Sequence, residues 1–145
     1  MMKILNILDE FVTYLTDDPV RPTIPVDKRF GTNRFVFIVE GKNKPAAILC
    51  CSLEPTVPTK ENELFTEGDP LVAIFYSIWS YEKGTARELL FEAVDYISKN
   101  LGIDRYVTLS PKTEMAYKFH TKNGATILQE NEETINYEYV LNSNH

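Results

Sequence analysis

The sequence predicts a mixed α/β fold: a central, mostly antiparallel sheet with one parallel βαβ pair and helices on both faces. Three observations lead to this prediction. The chain has 145 residues, of which 43% are hydrophobic and 12% aromatic, which suits a single domain over residues 1–145 and excludes a disordered chain. An apolar run over residues 71–79 is typical of a strand buried on both faces. The hydrophobic period then changes to that of a helix and back again, which predicts a crossover between two parallel strands.

The first part of the chain is predicted to hold one helix and two strands. Ile4, Leu8, Phe11 and Leu15 recur at helical spacing, so we expect a helix over residues 2–16 with no strand before it. Proline-rich residues 20–33 are expected to form a loop. β-Branched and aromatic residues predict strands over 34–40 and 46–53, joined by a turn at 41–44. A long, polar and acidic loop, 54–70, leads to the apolar strand.

The second part is predicted to alternate helices and strands. Apolar residues at helical spacing predict a helix, and they are Ala86, Leu89, Leu90, Ala93, Val94 and Ile97. A strand follows over 105–109. Ser110 and Pro111 have the residue types of an N-cap and a first helical position, so they are expected to open a second helix that runs to about Lys122. Strands over 125–129 and 134–141 complete the sheet.

Composition excludes several classes of protein. The net charge is −6, from 15 Lys and Arg against 21 Asp and Glu, without a basic run, so nucleic acid is not an expected partner. The longest apolar run is about half of a membrane span, and no secretory signal is visible, so we expect a cytoplasmic protein without a membrane partner. Cys50 and Cys51 are adjacent and would point to opposite faces of a strand, so no disulfide is expected. Two Cys and two His leave no zinc site, and no metal is predicted.

The junction between the apolar strand and its helix is the richest place for chemistry. A strand that enters a short loop with a glycine and then a helix leaves backbone N–H groups unpaired, and these groups bind anions such as a diphosphate. The candidate residues are Tyr81, Glu82, Lys83, Gly84, Thr85, Ala86 and Arg87. Lys83 and Arg87 add positive charge. The alternative is an ordinary strand-to-helix turn that needs one glycine.

These residues resemble a family signature. Tyr81 to Ala86 align with [QR]-x-x-G-x-[GA] of the GNAT superfamily, the acyl-CoA-dependent N-acyltransferases, with Gly84 and Ala86 matching and Tyr81 departing from it. Ala116, His120 and Gly124 also fall at the spacing of an alanine, a tyrosine and a glycine that many members carry, with His120 in place of the tyrosine. The resemblance covers about residues 34–141. Pro19–Pro22 together with Val107–Pro111 resembles a divergent subgroup that is loosely associated with bacteriophage genomes.

The resemblance implies a function. It implies acetyl-CoA as the donor and transfer of an acetyl group to a primary amine by direct attack on the thioester. It implies that backbone N–H groups of Tyr76, Ser77 and Ile78 hold the thioester carbonyl, with Ser77 at the centre of this catalytic group. It also implies that His120 protonates the departing thiolate, and that Thr113 stands where an asparagine contacts the cofactor.

Alternatives remain open for the role of the chain and of these residues. His120 is equally well explained as a surface residue near a helix end, and the chain as a GNAT-fold protein without catalysis that binds CoA or another protein. An unrelated α/β binding module is a third alternative. The expected acceptor is an amine of a small molecule or a protein, drawn by the acidic loops 17–33 and 129–133, unless their charge only keeps the surface solvated. A homodimer is compatible with all of these.

Overall fold

The fold is built on a single eight-stranded sheet. The computed structural model describes residues 1–140. Leu141, the predicted end of the last strand, and residues 142–145 of the predicted domain lie outside this range. The strands are β1 (Met2–Ile4), β2 (Arg34–Glu40), β3 (Pro45–Glu54), β4 (Val72–Ser80), β5 (Tyr106–Thr108), β6 (Ser110–Pro111), β7 (Thr126–Glu130) and β8 (Thr134–Tyr139). Their order is β1-β2-β3-β4-β5-β8-β6, with β7 also paired to β8.

The predicted fold class is confirmed. Within the described residues every pair of neighbouring strands is antiparallel except β4 and β5, which are parallel and joined by the crossover helix α1 (Thr85–Tyr96). Helix α1 continues into a short π-helical segment, Ile97–Leu101, and ends at Gly102. Helix α2 (Glu114–Lys122) precedes β7. Short 3-10 helices span Glu10–Asp17, Val26–Arg29 and Glu61–Glu63.

The predicted N-terminal helix over residues 2–16 is wrong. Met2–Ile4 instead pairs with the edge of β2, so the chain does have a strand before its first helix. The Asn6 side chain accepts a hydrogen bond from Leu8 N at 2.9 Å, and the Asp9 side chain accepts one from Phe11 N at 2.8 Å. These local bonds compete with a continuous helix and delay its start, so only the 3-10 helix Glu10–Asp17 forms.

The predicted start of the second helix is also wrong. Ser110–Pro111 forms β6, in which Ser110 pairs with Ile135 of β8. The N-cap of α2 is Thr113, whose side chain accepts a hydrogen bond from Ala116 N at 3.2 Å. Pairing with β8 therefore overrides the helix-opening preference of a Ser-Pro pair.

The two faces of the sheet are covered differently. Apolar residues of α1 and Phe119 of α2 pack on one face, which we call the helical face. The 3-10 helix Glu10–Asp17 and the loops 18–33 and 55–71 cover the other, which we call the loop face; Leu15, Ile24 and Leu64 are buried there. The predicted helices on both faces are thus α-helices on one side and 3-10 helices on the other.

A buried ion pair holds the loop face together. Arg29 is 0% exposed, and its Nη1 lies 2.6 Å from Asp18 Oδ2. Its Nη2 donates to the carbonyls of Arg21 and Ile24 at 2.8 and 3.1 Å. Asp18 in turn accepts from Val20 N and Arg21 N. Removal of one partner would leave the other charge buried without compensation, so the fold of residues 18–29 requires both Asp18 and Arg29.

Candidate functional site: a gap between two parallel strands

Strands β4 and β5 separate halfway along β4. Their parallel pairing covers only Ala73 to Phe75 on β4. Leu109 N still donates to Phe75 O at 3.0 Å, and β6 then continues along β8. Beyond this point no hydrogen bond in the described part of the chain joins the rest of β4 to β5 or β6. A gap therefore opens between the two strands toward the C-terminal end of β4.

A β-bulge lies where the gap begins. On β3, Cys51 pairs with Phe75 and Cys50 pairs with Ser77, so Tyr76 is an extra residue on β4. Bulges bend a strand and increase its twist, and they redirect the groups that follow them. The bulge thus accounts for the departure of β4 from β5, and it falls within the three residues predicted to hold a thioester carbonyl.

The direction of the β4 amides follows from strand geometry. Tyr81 N donates to Ala46 O of β3 at 2.7 Å, and N–H groups of successive residues in a strand point to opposite sides. The Ser77 and Trp79 amides therefore point toward β3, while the Ile78 and Ser80 amides point into the gap. Of the residues predicted to form the donor group, Ile78 provides the amide in the gap, and Ser80 is one that sequence reasoning missed.

Ser77 contributes a different feature. Its side chain is 2% exposed, and its hydroxyl finds no hydrogen-bond partner among residues 1–140. An unsatisfied buried hydroxyl costs about 1–3 kcal/mol, which a bound ligand could recover. This hydroxyl lies beside the bulge, so it is available to form a hydrogen bond with a ligand.

The turn after β4 presents unpaired backbone donors. The amides of Lys83, Gly84, Ala86 and Arg87 have no acceptor within the part of the chain that the structure describes. Gly84 is the N-cap of α1, with a φ of 84°, a left-handed conformation that favours glycine. A Cβ atom built on Gly84 would meet nothing within 4 Å, so the space in front of the turn is open. The predicted residues thus come together at an open helix N-terminus, which suits an anion.

The side chains of the turn divide into two groups. The Thr85 hydroxyl donates to Glu82 O at 2.6 Å and fastens the turn, and Glu82 extends toward Gly41 of the β2–β3 turn. Lys83 and Arg87 are exposed. The Arg87 Nε donates to Asn123 Oδ1 at 3.0 Å, which places this guanidinium between the start of α1 and the end of α2. Two cations therefore stand beside the open amides.

The Tyr81 ring is held on the loop face. Its hydroxyl donates to Asp17 Oδ2 at 3.1 Å and accepts from Trp79 Nε1 at 3.3 Å. The Tyr14 ring contacts it edge-on at 6.0 Å, and the Lys44 ammonium lies 4.2 Å from its centroid. The Tyr81 side chain therefore has contacts with four residues of the protein. Tyr81 aligns with the Gln or Arg of the family signature, and in this chain that position anchors the loop face.

One short segment spans the mouth of the gap. Asp17 reaches the β4 side through Tyr81, and Arg21 reaches the β5 side, where its Nη2 donates to Leu109 O at 2.8 Å. The predicted loop 17–33 thus lines the gap on the loop face. The sequence associates Arg21 only with the subgroup resemblance of Pro19–Pro22 and not with this site, because the path of the loop is not visible in the sequence.

His120 is buried away from solvent. It is 5% exposed, its Nδ1 lies 2.7 Å from the Tyr139 hydroxyl, and its ring stacks on Tyr137 with centroids 5.0 Å apart. Burial lowers the pKa of His120 to about 4. The surface alternative is therefore wrong, and at pH 7 the ring is neutral.

Thr113, Cys50 and Cys51 each have a structural explanation. Thr113 caps α2 by accepting from Ala116 N, which explains a threonine here without a ligand. Cys50 and Cys51 are buried free thiols, and burial raises the pKa of Cys50 to about 12. A protonated, inaccessible thiol is not a nucleophile. In the described residues no three Cys, His, Asp or Glu side chains form a metal-binding group.

The mostly antiparallel sheet with its one parallel pair, β4 and β5, is a fold that this chain shares with GNAT acetyltransferases of known structure. No protein-family model matches its sequence, and no curated protein matches it. Solved structures do. An acetyltransferase from Bacillus subtilis, determined in complex with CoA, superposes with a TM-score of 0.70 at 11% identity, over 97% of this chain and 98% of the other. The GNAT domain of S. lividans PAT gives a TM-score of 0.70 at 12% identity, over 97% and 89%.

Larger proteins contain the same fold. Malonyl-CoA decarboxylase from Rhodopseudomonas palustris superposes with a TM-score of 0.75 at 15% identity, over 97% of this chain. The chain spans 60% of that enzyme and 35% of the malonyl-CoA decarboxylase from Agrobacterium vitis. At such identities the likeness establishes the fold. The association with bacteriophage genomes stays a prediction. Across residues 1–140 no helix is long and apolar enough to cross a bilayer.

Proposed function

We propose that this chain is an acyl-CoA-dependent N-acetyltransferase that binds acetyl-CoA and transfers its acetyl group to a primary amine. The observation that carries the proposal is that two sets of unpaired backbone donors occur at the same end of β4. One is the amide pair of Ile78 and Ser80 in the gap, and the other is the set of amides of Lys83, Gly84, Ala86 and Arg87 in the turn. An acyl-CoA has a polarised carbonyl at one end and a diphosphate further along, so it needs donors in two places.

The residues fit such a ligand. The open amides around Gly84 would hold the diphosphate, with Lys83 and Arg87 supplying positive charge. The chain enters α1 here without a Cβ in the way, because a glycine occupies the N-cap. The Ile78 amide would contact the thioester oxygen, and Ser80 the amide groups of the pantetheine arm. The orphan hydroxyl of Ser77 lies beside the same bulge.

The reaction is a direct displacement at the thioester carbon. The amine nitrogen uses its lone pair to form the C–N bond, negative charge develops on the carbonyl oxygen, and the C–S bond then breaks with its electron pair remaining on sulfur. A fixed N–H at Ile78 stabilises the developing charge, and one such donor contributes about 100-fold to 1,000-fold in rate. The proton that the amine loses passes to solvent or to an exposed carboxylate such as Asp17 at the mouth of the gap.

The proton for the leaving thiolate has no assigned donor on the chain. A histidine with a pKa of about 4 is protonated in roughly one molecule in a thousand at pH 7. The burial of His120 therefore disfavours its predicted role as the proton donor. We propose that solvent protonates the thiolate, whose reference pKa of about 8.5 makes this transfer easy, and that His120 acts in packing.

The acceptor enters from the loop face. Asp17 and Arg21 stand on either side of the mouth, so the route to the thioester passes the segment between them. A primary amine on a small molecule or on a protein remains the proposed acceptor class, because the exposed carboxylate of Asp17 at the mouth of the gap would attract its positive charge.

Calorimetric titration with acetyl-CoA and CoA, followed by thiol release with a panel of amines, tests the proposal. We expect saturable binding of both ligands and thiol release above background with at least one primary amine. No binding at about millimolar ligand removes the function. Binding without thiol release across the panel leaves a second candidate, a CoA-binding protein without catalysis, which the buried His120 in place of a tyrosine favours.

A further inference from the structure

A polar cavity of about 330 Å³ opens on the loop face, where β2 begins and β3 ends. It shares no residue with the gap or with the turn at residues 83–87. Its lining comes from three segments and consists of Thr32, Asn33, Arg34, Ser52, Leu53, Phe65, Thr66, Glu67 and Gly68. A volume of this size is at the lower end of the range of small-molecule sites.

Two opposite charges line this cavity without pairing. Arg34 and Glu67 both belong to its wall, and within residues 1–140 neither forms a salt bridge. Arg34 donates one hydrogen bond, from Nη1 to Lys28 O at 3.2 Å, and its guanidinium lies 4.7 Å from the centroid of the Phe65 ring. The ring contact orients the guanidinium, and its Nε and Nη2 have no acceptor among residues 1–140. A molecule placed between these two side chains needs a negative group and a positive group.

The other carboxylate near the cavity is already satisfied. Glu54 is 1% exposed, and it accepts hydrogen bonds from the Ser52 hydroxyl, from Phe65 N at 2.8 Å and from Thr66 N at 3.1 Å. Glu54 therefore fixes the backbone of residues 65–66, and its burial keeps it out of reach of a ligand. Glu67 is the carboxylate that a ligand can reach.

The cavity wall carries backbone strain. Asn33 and Phe65 have φ values of 64° and 65°, in the left-handed region, which L-residues rarely adopt. The fold holds both in place, because Asn33 O accepts from Leu53 N at 2.7 Å and Phe65 N donates to Glu54. Strain of this kind is concentrated at ligand-binding places, where the surrounding structure over-determines the backbone.

We propose that this cavity binds a free α-amino acid or a zwitterion of comparable size. Its carboxylate would take the free donors of Arg34, its ammonium would lie against Glu67, and Thr32 and Thr66 would line the remainder. A single-charged ligand would leave one of the two wall charges uncompensated. The zwitterion matches both.

The cavity is separate from the route to the thioester. The Phe65 ring packs edge-on against the Tyr76 ring, with centroids 5.5 Å apart, so these two rings fill the space between the cavity and the bulge. The ligand is therefore not an acceptor on its way to acetyl transfer, and the proposal does not rest on the proposed function.

An NMR titration of the ¹⁵N-labelled protein tests the proposal. The standard L-amino acids are added singly at about 10 mM, and each one that binds is compared with its N-acetyl and methyl ester forms. We expect at least one amino acid to shift the amide signals of residues 32–34 and 65–68 in a saturable way, and its two blocked forms to leave them unchanged. Saturating CoA should alter the affinity by less than about twofold, because the sites are separate.

Two exposed carboxylates in the same loop provide the variant and its control. Glu67→Gln should weaken binding by about tenfold or more, since a charged hydrogen bond is lost. Asp69→Asn, which lies outside the cavity wall, should change it by less than about twofold. The proposal is overturned if no free amino acid shifts these signals, if the blocked forms bind equally well, or if the shifts map to residues 76–87.

Discussion

The turn before α1 and the environment of His120 were both predicted as functional, and the structure gives them opposite characters. The turn is open: among residues 1–140 the amides of Lys83, Gly84, Ala86 and Arg87 have no acceptor, and a Cβ atom built on Gly84 would meet nothing within 4 Å. His120 is closed, with Tyr137 stacked on its ring and the Tyr139 hydroxyl on its Nδ1. Unused hydrogen-bonding capacity is what a ligand can exploit, so the turn is the stronger candidate.

This contrast shows that a sequence motif predicts a backbone binding site better than it predicts the role of a side chain. A backbone site depends on chain direction and on one permissive glycine, both of which are local. A side-chain site depends on what packs around it, which the motif does not contain. We therefore expect changes in open regions to affect ligand binding and changes in closed regions to affect stability.

The largest expected effect lies in the closed ion pair on the loop face. Arg29→Met leaves Asp18 buried without its cation, so the free energy of unfolding should fall by about 3–5 kcal/mol. Lys28→Met, at an exposed neighbouring position, should change it by less than about 0.5 kcal/mol. Urea denaturation measures both. Equal stability of the two variants would show that the pair does not hold residues 18–29.

Substitution of Gly84 in the open turn should reduce the affinity for CoA. Gly84→Glu places a carboxylate in front of the unpaired amides, where it competes with an anionic ligand, and should weaken CoA binding by roughly 100-fold. Gly102→Glu is the matched control, because Gly102 also has a positive φ, of 68°, and open space, but it lies at the far end of α1. Calorimetry with CoA separates the two. An equal loss in both would assign the effect to backbone strain.

His120 should respond in pH-dependent stability. Its folded pKa of about 4 lies below its ordinary value of 6.5, so the unfolded chain takes up the proton first. Neutral His120 makes its full contribution to the free energy of unfolding above pH 6.5. This contribution decreases by about 1.4 kcal/mol per pH unit as the pH falls from 6.5 toward 4. In His120→Phe this part of the pH slope should disappear from denaturation curves.

The same variant decides between packing and catalysis. Under the packing role, acetyl transfer at pH 7 should change by less than about threefold in the variant that still folds. A loss of about 100-fold or more, with CoA affinity retained, would restore His120 as a proton donor.

The smallest expected effect is at the cap of α2. Thr113→Ala removes the acceptor for Ala116 N and should cost about 1 kcal/mol of stability. Thr113→Ser keeps the hydroxyl and should be near neutral. CoA affinity should stay within about twofold in both, as expected for a capping residue. A selective loss of affinity in Thr113→Ala would instead support the predicted cofactor contact.

Much of the fold was predictable because its signals are local. Strands β2, β3 and β4 and helix α1 lie within a few residues of their predicted positions, since alternation and helical spacing report directly on burial. The N-terminal segment failed because Met2–Ile4 becomes a strand only against the distant edge of β2. Ser110–Pro111 failed for the same reason, through β8.

The candidate site also has features that local sequence signals predict and features that depend on distant segments. The turn and the end of β4 were located by the glycine and by the change in period. The bulge at Tyr76 was not visible, because a one-residue shift in pairing depends on β3 as much as on β4. Arg21 and Asp17 were hidden in a loop whose path is set by the Asp18–Arg29 pair.

The sequence by itself determined the order of the elements, the parallel crossover and the place where α1 begins, because each follows from hydrophobic period and from one glycine. Only the tertiary structure decided which amides stay unpaired, which histidine nitrogen meets a tyrosine and which charges share a cavity. Those properties arise where segments far apart in the chain meet, and contact between distant segments leaves no local pattern for a single sequence to display.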